Sequence, residues 1–133
     1  MPTPDLDIAT KLQTEGVGTL GTNIFRGGQR PPSNVIPHSA IFVIPTGGTG
    51  PIPFLDNATT NYFIPTVQLI IRGNVGTYIT TLGTASSCIT KLHQSTISGY
   101  FSILARNPEP LYLGLDENDH PLFSVNIELQ YTG

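Results

Sequence analysis

The side chains with the most catalytic potential in this sequence are one cysteine and three histidines. Cys88 could act as a nucleophile if a histidine lay within hydrogen-bonding distance, because the imidazole would accept the thiol proton. His93 follows Cys88 by five residues. On a helix that spacing turns through about 500°, so the two side chains point about 140° apart. Cys88 also lies beside an apolar stripe, where a free cysteine is usually a small buried hydrophobe. The spacing therefore argues against a Cys–His dyad.

Metal and phosphate sites have equally little support. His38, His93 and His120 lie on different predicted elements, and no two of them stand at i,i+4 spacing. A single cysteine allows neither an intrachain disulfide nor a multi-cysteine zinc site. The glycine-rich residues 46–50 are followed by proline, where a phosphate loop requires Lys-Ser or Lys-Thr and the start of a helix. We therefore predict no catalytic residue, no cofactor and no metal ion.

Charged residues are scarce in this chain. They make up 11% of it, against about 25% in average soluble domains. Interface cores are depleted in charge, so the composition favours a chain whose surface largely contacts other protein. A neutral, threonine-rich extracellular or virion surface would give the same composition. The net charge of −3 and the scattered basic residues argue against autonomous nucleic-acid binding.

The length of 133 residues fits one compact domain, 1–133, without internal repeats. Residues 1–5 have neither the basic region nor the apolar region of a signal peptide. The longest apolar run, residues 40–44, is far shorter than the roughly 20 residues of a membrane-spanning helix. We therefore expect a soluble protein made in a reducing cytoplasm.

Hydrophobic periodicity predicts an α+β fold. Early acidic residues followed by Leu6, Ile8 and Leu12 predict a helix near residues 4–15. A longer helix near residues 75–94 is predicted by apolar residues that recur at three- and four-residue steps, namely Val75, Tyr78 or Ile79, Leu82, Ala85, Ile89 and Leu92. Strands are predicted at residues 22–26, 40–44, 65–72, 100–105, 111–115 and 123–131. The prediction is a mixed or antiparallel sheet packed against two helices in a single domain with one long irregular loop.

That loop is the predicted interaction site. Residues 45–51 contain three glycines and two prolines, which predict irregular structure continuing to about Tyr62. A loop of more than about 15 residues in so small a domain is usually functional. The loop and the strand after it supply our candidate protein-interaction residues, namely Ile52, Phe54, Leu55, Asp56, Tyr62, Phe63 and Arg72.

Several motifs, in order, resemble the tail terminator (tail completion, sometimes "minor capsid") proteins of long-tailed bacteriophages. The predicted first helix precedes GVGTLGTNIF at residues 16–25, and an apolar strand ends in Thr-Gly-Gly in AIFVIPTGG at residues 40–48. PIPFLD at residues 51–56 is similar to that family's proline-rich loop, and PTVQLIIRG at residues 65–73 is similar to the strand that follows it. The series is completed by KLH at the end of the long helix and by the turn LGLDEN at residues 113–118. The resemblance covers nearly the whole chain.

The resemblance implies a non-enzymatic virion protein at the tail–neck junction of a siphovirus. Such a protein forms a hexameric ring that caps the tail tube, ends its polymerisation and presents a docking surface to the head connector. Its partners would be copies of itself, the major tail tube protein and head connector proteins. It would contact no membrane and no specific nucleic acid, although DNA would pass through the ring.

Two alternatives stay open at the level of sequence. The chain could be another neck subunit, such as a head-completion or connector protein. It could also be a small enzyme or ligand-binding module whose site lies in the loop after residues 40–44.

Overall fold

The computed structural model describes residues 3–27, 37, 39–54 and 57–132. Two helices and eight strands occur in these ranges. In chain order they are α1 (Pro4–Thr14), β1 (Ile24–Arg26), β2 (Ala40–Pro45), β3 (Thr49–Phe54), β4 (Asn57–Ile64), β5 (Thr66–Arg72), α2 (Tyr78–Leu92), β6 (Ser102–Ala105), β7 (Leu111–Leu115) and β8 (Pro121–Thr132). The predicted α+β class is confirmed.

The sheet is mixed and is organised around β8. Its main strand order is β1-β2-β5-β8-β4-β3, in which β1 pairs parallel to β2 and the other pairs are antiparallel. The same stretch of β8 pairs with two strands, since Ile127 lies opposite Val67 of β5 and also opposite Ala105 of β6. Strands β5 and β4 therefore follow one edge of β8, while β6 and β7 follow the other.

One face of this sheet packs against both helices. Alternation in β8 puts Phe123, Val125, Ile127 and Leu129 on the helix-facing side, and all four are buried. Helix α1 contributes Ile8, Ala9 and Leu12 to the same core. An ion pair between Arg26 Nε and Asp5 Oδ2, 3.1 Å apart, ties α1 to β1. The core is thus a single layer between the sheet and the helix pair.

The buried face of helix α2 coincides only in part with its predicted hydrophobic stripe. Ala85 and Leu92 are buried as predicted, and Leu82 and Ile89 pack partly buried against the core. Thr81 and Cys88 are buried as well, whereas Val75 and Ile79 are 59% and 75% exposed. Thr81 can be buried because its hydroxyl donates to the carbonyl of Thr77 over 2.7 Å. Gly73 leaves room for it, since a Cβ on Gly73 would lie 1.7 Å from Thr81 Oγ1. A threonine whose hydroxyl is hydrogen-bonded packs against a glycine, and this contact sets the rotation of the helix about its own axis.

The prediction of a long irregular loop is wrong, because residues 49–54 and 57–64 form the antiparallel strands β3 and β4. Of the two prolines that suggested irregular structure, Pro45 ends β2, and Pro51 lies with Pro53 in β3, the outermost strand of the order, where proline is tolerated. Two of the glycines, Gly47 and Gly48, adopt positive φ in the short connection that precedes β3. The prolines and glycines that suggested a loop therefore mark an edge strand and the short connection that leads into it.

The inward face of α2 can be tested with two substitutions on the same helix. Leu92→Ala should lower the free energy of unfolding by about 2–5 kcal/mol, because it leaves a cavity in the core. Ile79→Ala should change it by less than about 0.5 kcal/mol, because that side chain is largely exposed. Urea denaturation followed by circular dichroism would measure both values. Equal losses would contradict the observed rotation of the helix.

Candidate functional site

The candidate site is the far half of a long β-hairpin. Strands β2 and β5 pair from Ala40 opposite Arg72 to Pro45 opposite Val67. Beyond them β3 and β4 pair from Thr49 opposite Ile64 to Phe54 opposite Asn57. The chain therefore runs outward along β2 and β3 and returns along β4 and β5. We call β3 and β4 together the outer hairpin.

A short junction joins the outer hairpin to the body of the sheet. The amide of Thr46 donates to the carbonyl of Thr66 over 3.0 Å, and the two threonine hydroxyl oxygens lie 2.6 Å apart. Gly48 then adopts φ +94°, and a Cβ at this position would lie 2.1 Å from the carbonyl oxygen of Ile64. Backbone atoms cannot yield as a flexible side chain can, so the junction requires glycine here.

Aromatic side chains fasten the returning strand to the end of β8. Tyr62 and Phe63 are adjacent in β4 and so point to opposite faces of the sheet. The Tyr62 hydroxyl donates to Gln130 Oε1 over 2.6 Å, and its ring centroid lies 5.4 Å from that of Phe101. On the other face Phe63 stacks on Tyr131 at 5.0 Å. We call these five residues the aromatic clasp. Contacts on both faces restrain the base of the outer hairpin.

The clasp also connects to helix α1. Tyr131 meets Tyr100 edge-on at a centroid distance of 5.8 Å, and the Tyr100 hydroxyl donates to Asp7 Oδ2 over 2.6 Å. Partial burial raises the pKa of Tyr100 well above its ordinary value, and the hydrogen bond to Asp7 raises it further. The phenol therefore stays protonated and can donate at physiological pH.

Arg72, the last predicted interaction residue, lies at the other end of β5 from the outer hairpin. Its mostly buried guanidinium places Nε 3.2 Å from Asp116 Oδ2 and Nη2 3.0 Å from His120 Nδ1. Asp116 Oδ1 accepts the backbone N–H groups of Asn118 and His120, each at 2.9 Å. Arg72 is therefore engaged in ordering the turn between β7 and β8.

The sequence-predicted residues divide into two groups. Ile52, which is 45% exposed, lies opposite Tyr62, and Phe54 ends β3, so the structure gathers Ile52, Phe54, Tyr62 and Phe63 on the outer hairpin. Leu55 and Asp56 lie outside the described residues. The clasp partners Phe101, Gln130 and Tyr131 were not predicted as site residues, since only strand pairing brings them beside β4.

The sequence also drew attention to Cys88, which is fully buried on α2. Burial raises the pKa of its thiol to about 12, so the unreactive protonated form prevails at neutral pH. His93 Nδ1 accepts the backbone N–H of Ala105 over 3.0 Å, a structural contact to β6. Over the described ranges no group of three His, Cys, Asp or Glu residues could hold a metal ion. Within the same ranges neither helix is long and apolar enough to cross a membrane.

The junction of the outer hairpin can be tested by adding one methyl group. Gly48→Ala should lower the free energy of unfolding by about 1–3 kcal/mol, because the left-handed backbone and the Ile64 carbonyl both oppose a Cβ. Gly50→Ala is the matched control in β3, where a Cβ meets no atom within 4 Å. Chemical denaturation of both variants would measure the difference. Indistinguishable stabilities would contradict the observed junction.

The turn ordered by Arg72 has a testable pH dependence. The pKa of Asp116 is lowered, first by the backbone N–H of His120 and further by that of Asn118 and by the His120 side chain. A carboxyl whose folded-state pKa lies below its unfolded value, near 3.9, stabilises the fold above that value and loses the effect as pH falls through the folded pKa. Asp116→Asn should therefore be less stable than wild type at neutral pH, and the gap should close as pH falls below about 4.

Thermal unfolding at a series of pH values would measure this gap. Glu117→Gln, which removes a negative charge from an exposed neighbour in the same turn, controls for the change in net charge. A gap between wild type and Asp116→Asn that stays constant from neutral pH to pH 3 would contradict the role assigned to Asp116.

The sequence matches one known protein family over most of its length. The profile of the family described as "Bacteriophage tail terminator protein" matches residues 11–133. That range includes all eight strands, the outer hairpin with its clasp, and the whole of α2. A search of curated proteins finds no match to the chain. Because the profile spans nearly the whole chain, the protein belongs to the bacteriophage tail terminator family, a family of structural virion components.

Proposed function

We propose that this protein forms a hexameric ring that caps the tail tube, ends its polymerisation and presents a docking surface to the head connector. The match of residues 11–133 to the tail terminator family carries the proposal. Within this proposal the protein acts by assembly and catalyses no reaction. The ring, its partners and its place at the tail–neck junction are what the experiments below test.

The outer hairpin is proposed as the contact with the last ring of the tube. It extends beyond the helix-covered part of the sheet, and the aromatic clasp holds its base. Restraint at the base lowers the conformational entropy that is lost on binding. Exposed Ile52, Phe54 at the end of β3, and Leu55 and Asp56, which follow it in the sequence, would supply the contact surface.

The composition of β3 favours recognition by side chains over strand addition. Pro51 and Pro53 lie in this outermost strand, and proline lacks the amide that an added strand would bind. An edge of this kind resists continued sheet growth. In the proposed ring, each hairpin would bury apolar side chains against the tube without offering an open ladder to further protein.

Sixfold repetition would make a modest contact strong. Full burial of one Leu, Ile or Phe side chain contributes about 1.5–3 kcal/mol. Six linked hairpins bind as one unit, so the ring would gain affinity that a single subunit lacks. Arg72 orders the β7–β8 turn at the opposite end of the sheet, and a contact of its own with a partner stays a prediction.

The proposal is tested by replacing the two apolar residues Phe54 and Leu55. A phage lacking this gene, complemented with Phe54→Ser/Leu55→Ser, should produce tails of uncontrolled length, because the apolar contact with the tube is lost. Electron micrographs of lysates would give the distribution of tail lengths. The control is Leu111→Ser, which removes an exposed leucine from β7, on the far side of β8.

Circular dichroism of both purified variants should show the wild-type fold. Tails of normal length with the double substitution would contradict the role proposed for Phe54 and Leu55. Native mass spectrometry of the wild-type protein tests the ring itself. Hexamers, alone or on isolated tubes, are expected, and a strict monomer under both conditions would contradict the proposed ring.

A further inference from the structure

A second surface of the molecule is apolar and exposed. It is formed where α2 begins and where β7 runs along β8. We call it the α2–β7 surface, and its members are Val75, Tyr78, Ile79, Tyr112 and Leu115, all of them exposed. None of these side chains carries a charge. The proposed contact with the tube does not use them.

The two tyrosines at its centre are held in place by aromatic packing. The Tyr78 ring meets that of Tyr112 edge-on at a centroid distance of 5.1 Å. Both rings also lie 5.3 Å from the ring of Phe123, which is buried in the core. Rings fixed in this way lose little conformational freedom on binding, which is typical of side chains that dominate the energy of an interface.

An irregularity in β7 brings Leu115 to the same face. Tyr112 lies opposite Phe123, and Leu115 lies opposite Pro121, two residues earlier in β8. The register shifts between Tyr112 and Gly114, which has φ +101°. Residues three apart therefore share one face, although regular alternation would separate them. Leu111, opposite Ser124, stays on the other face of the sheet.

The surface is large enough to form the apolar centre of an interface between subunits. Five large side chains with about half of their area exposed present on the order of 500 Å², in the upper part of the range of about 300–600 Å² for the largest apolar patch of a monomer, which is often functional. Each partner in a stable complex contributes about 800 Å² in total, including a polar rim. Polar, uncharged residues at the start of α2, such as Thr77 and Thr80, can supply part of such a rim.

The surface is also well separated from the outer hairpin. Tyr112 pairs with Phe123 near the start of β8, whereas Phe63 pairs with Tyr131 near its end. Eight residues of strand correspond to about 26 Å. A partner on the α2–β7 surface would therefore leave the hairpin free to reach the tube. The contact between neighbouring copies in a ring has to meet this requirement.

We infer that the α2–β7 surface packs against a second copy of this chain, on a different surface of that copy. The inference rests on the proposed ring, because a closed ring of more than two copies requires head-to-tail contacts between unlike surfaces. The area, the absence of charge and the distance from the hairpin all fit this occupant. Val75 from the turn before α2, Tyr78 and Ile79 from α2, and Tyr112 and Leu115 from β7 form the self-assembly contact.

Two matched pairs of substitutions test the inference. Leu115→Lys and Leu111→Lys alter leucines of the same strand that are 57% and 55% exposed but lie on opposite faces. Ile79→Lys and Thr90→Lys alter exposed positions on the same side of α2 that lie about 16 Å apart along its axis, so that only Ile79 belongs to the surface. Leu115→Lys and Ile79→Lys should weaken self-association at least tenfold. Sedimentation velocity over a concentration series would measure association in solution, and assembly on isolated tubes would be measured separately. Leu111→Lys and Thr90→Lys should leave it unchanged.

Each outcome has a distinct meaning. If the wild type assembles and all four variants assemble equally well, the inference is overturned while the proposed ring stands. If the wild type never self-associates, with or without tubes, both are overturned. A photoreactive residue at position 79 should cross-link to a neighbouring copy outside residues 75–79 and 112–115. Cross-links confined to those residues would mean a symmetric pair and contradict the head-to-tail contact.

Discussion

Strand β8 pairs along both of its edges, and the other described strands are arranged around it. Along one edge lie β5 and, beyond Pro65, β4; along the other lie β7 and β6. The amide of Leu129 donates to the carbonyl of Pro65 over 2.9 Å, so the ladder continues through the point where β5 gives way to β4. The buried alternate residues of β8 hold the helices on one face. A single strand thus connects the core, the outer hairpin and the α2–β7 surface.

This arrangement separates stability from binding. The middle of β8 lies under the helices and contributes the core, while the elements next to its two ends carry exposed apolar groups. At one end the aromatic clasp restrains a projecting hairpin, and at the other a pair of tyrosines rests on Phe123. Two separated apolar surfaces suit the proposed subunit, which would contact its neighbours and the tube together. Low charge over the whole chain fits the same role.

The parts of the fold that periodicity controls could be predicted from the sequence. The bounds of α1, β2, β5 and β8 follow from where hydrophobic patterns start and stop, and the structure keeps them to within a few residues. The outer hairpin could not be predicted, because Pro51, Pro53 and the glycines signal a loop unless the strand is known to lie at an edge. The rotation of α2 was missed because a buried Thr81 depends on a backbone bond and on Gly73 across the core. The clasp likewise depends on long-range pairing of β4 with β8, which a single sequence does not reveal.

An electron cryomicroscopy reconstruction of the neck of a phage that encodes this chain would test the account most directly. It should show six copies around the tail axis, with outer hairpins against the last tube ring and α2–β7 surfaces buried between adjacent copies. A neck in which this chain forms no ring, or a ring whose hairpins point into solvent, would contradict the account.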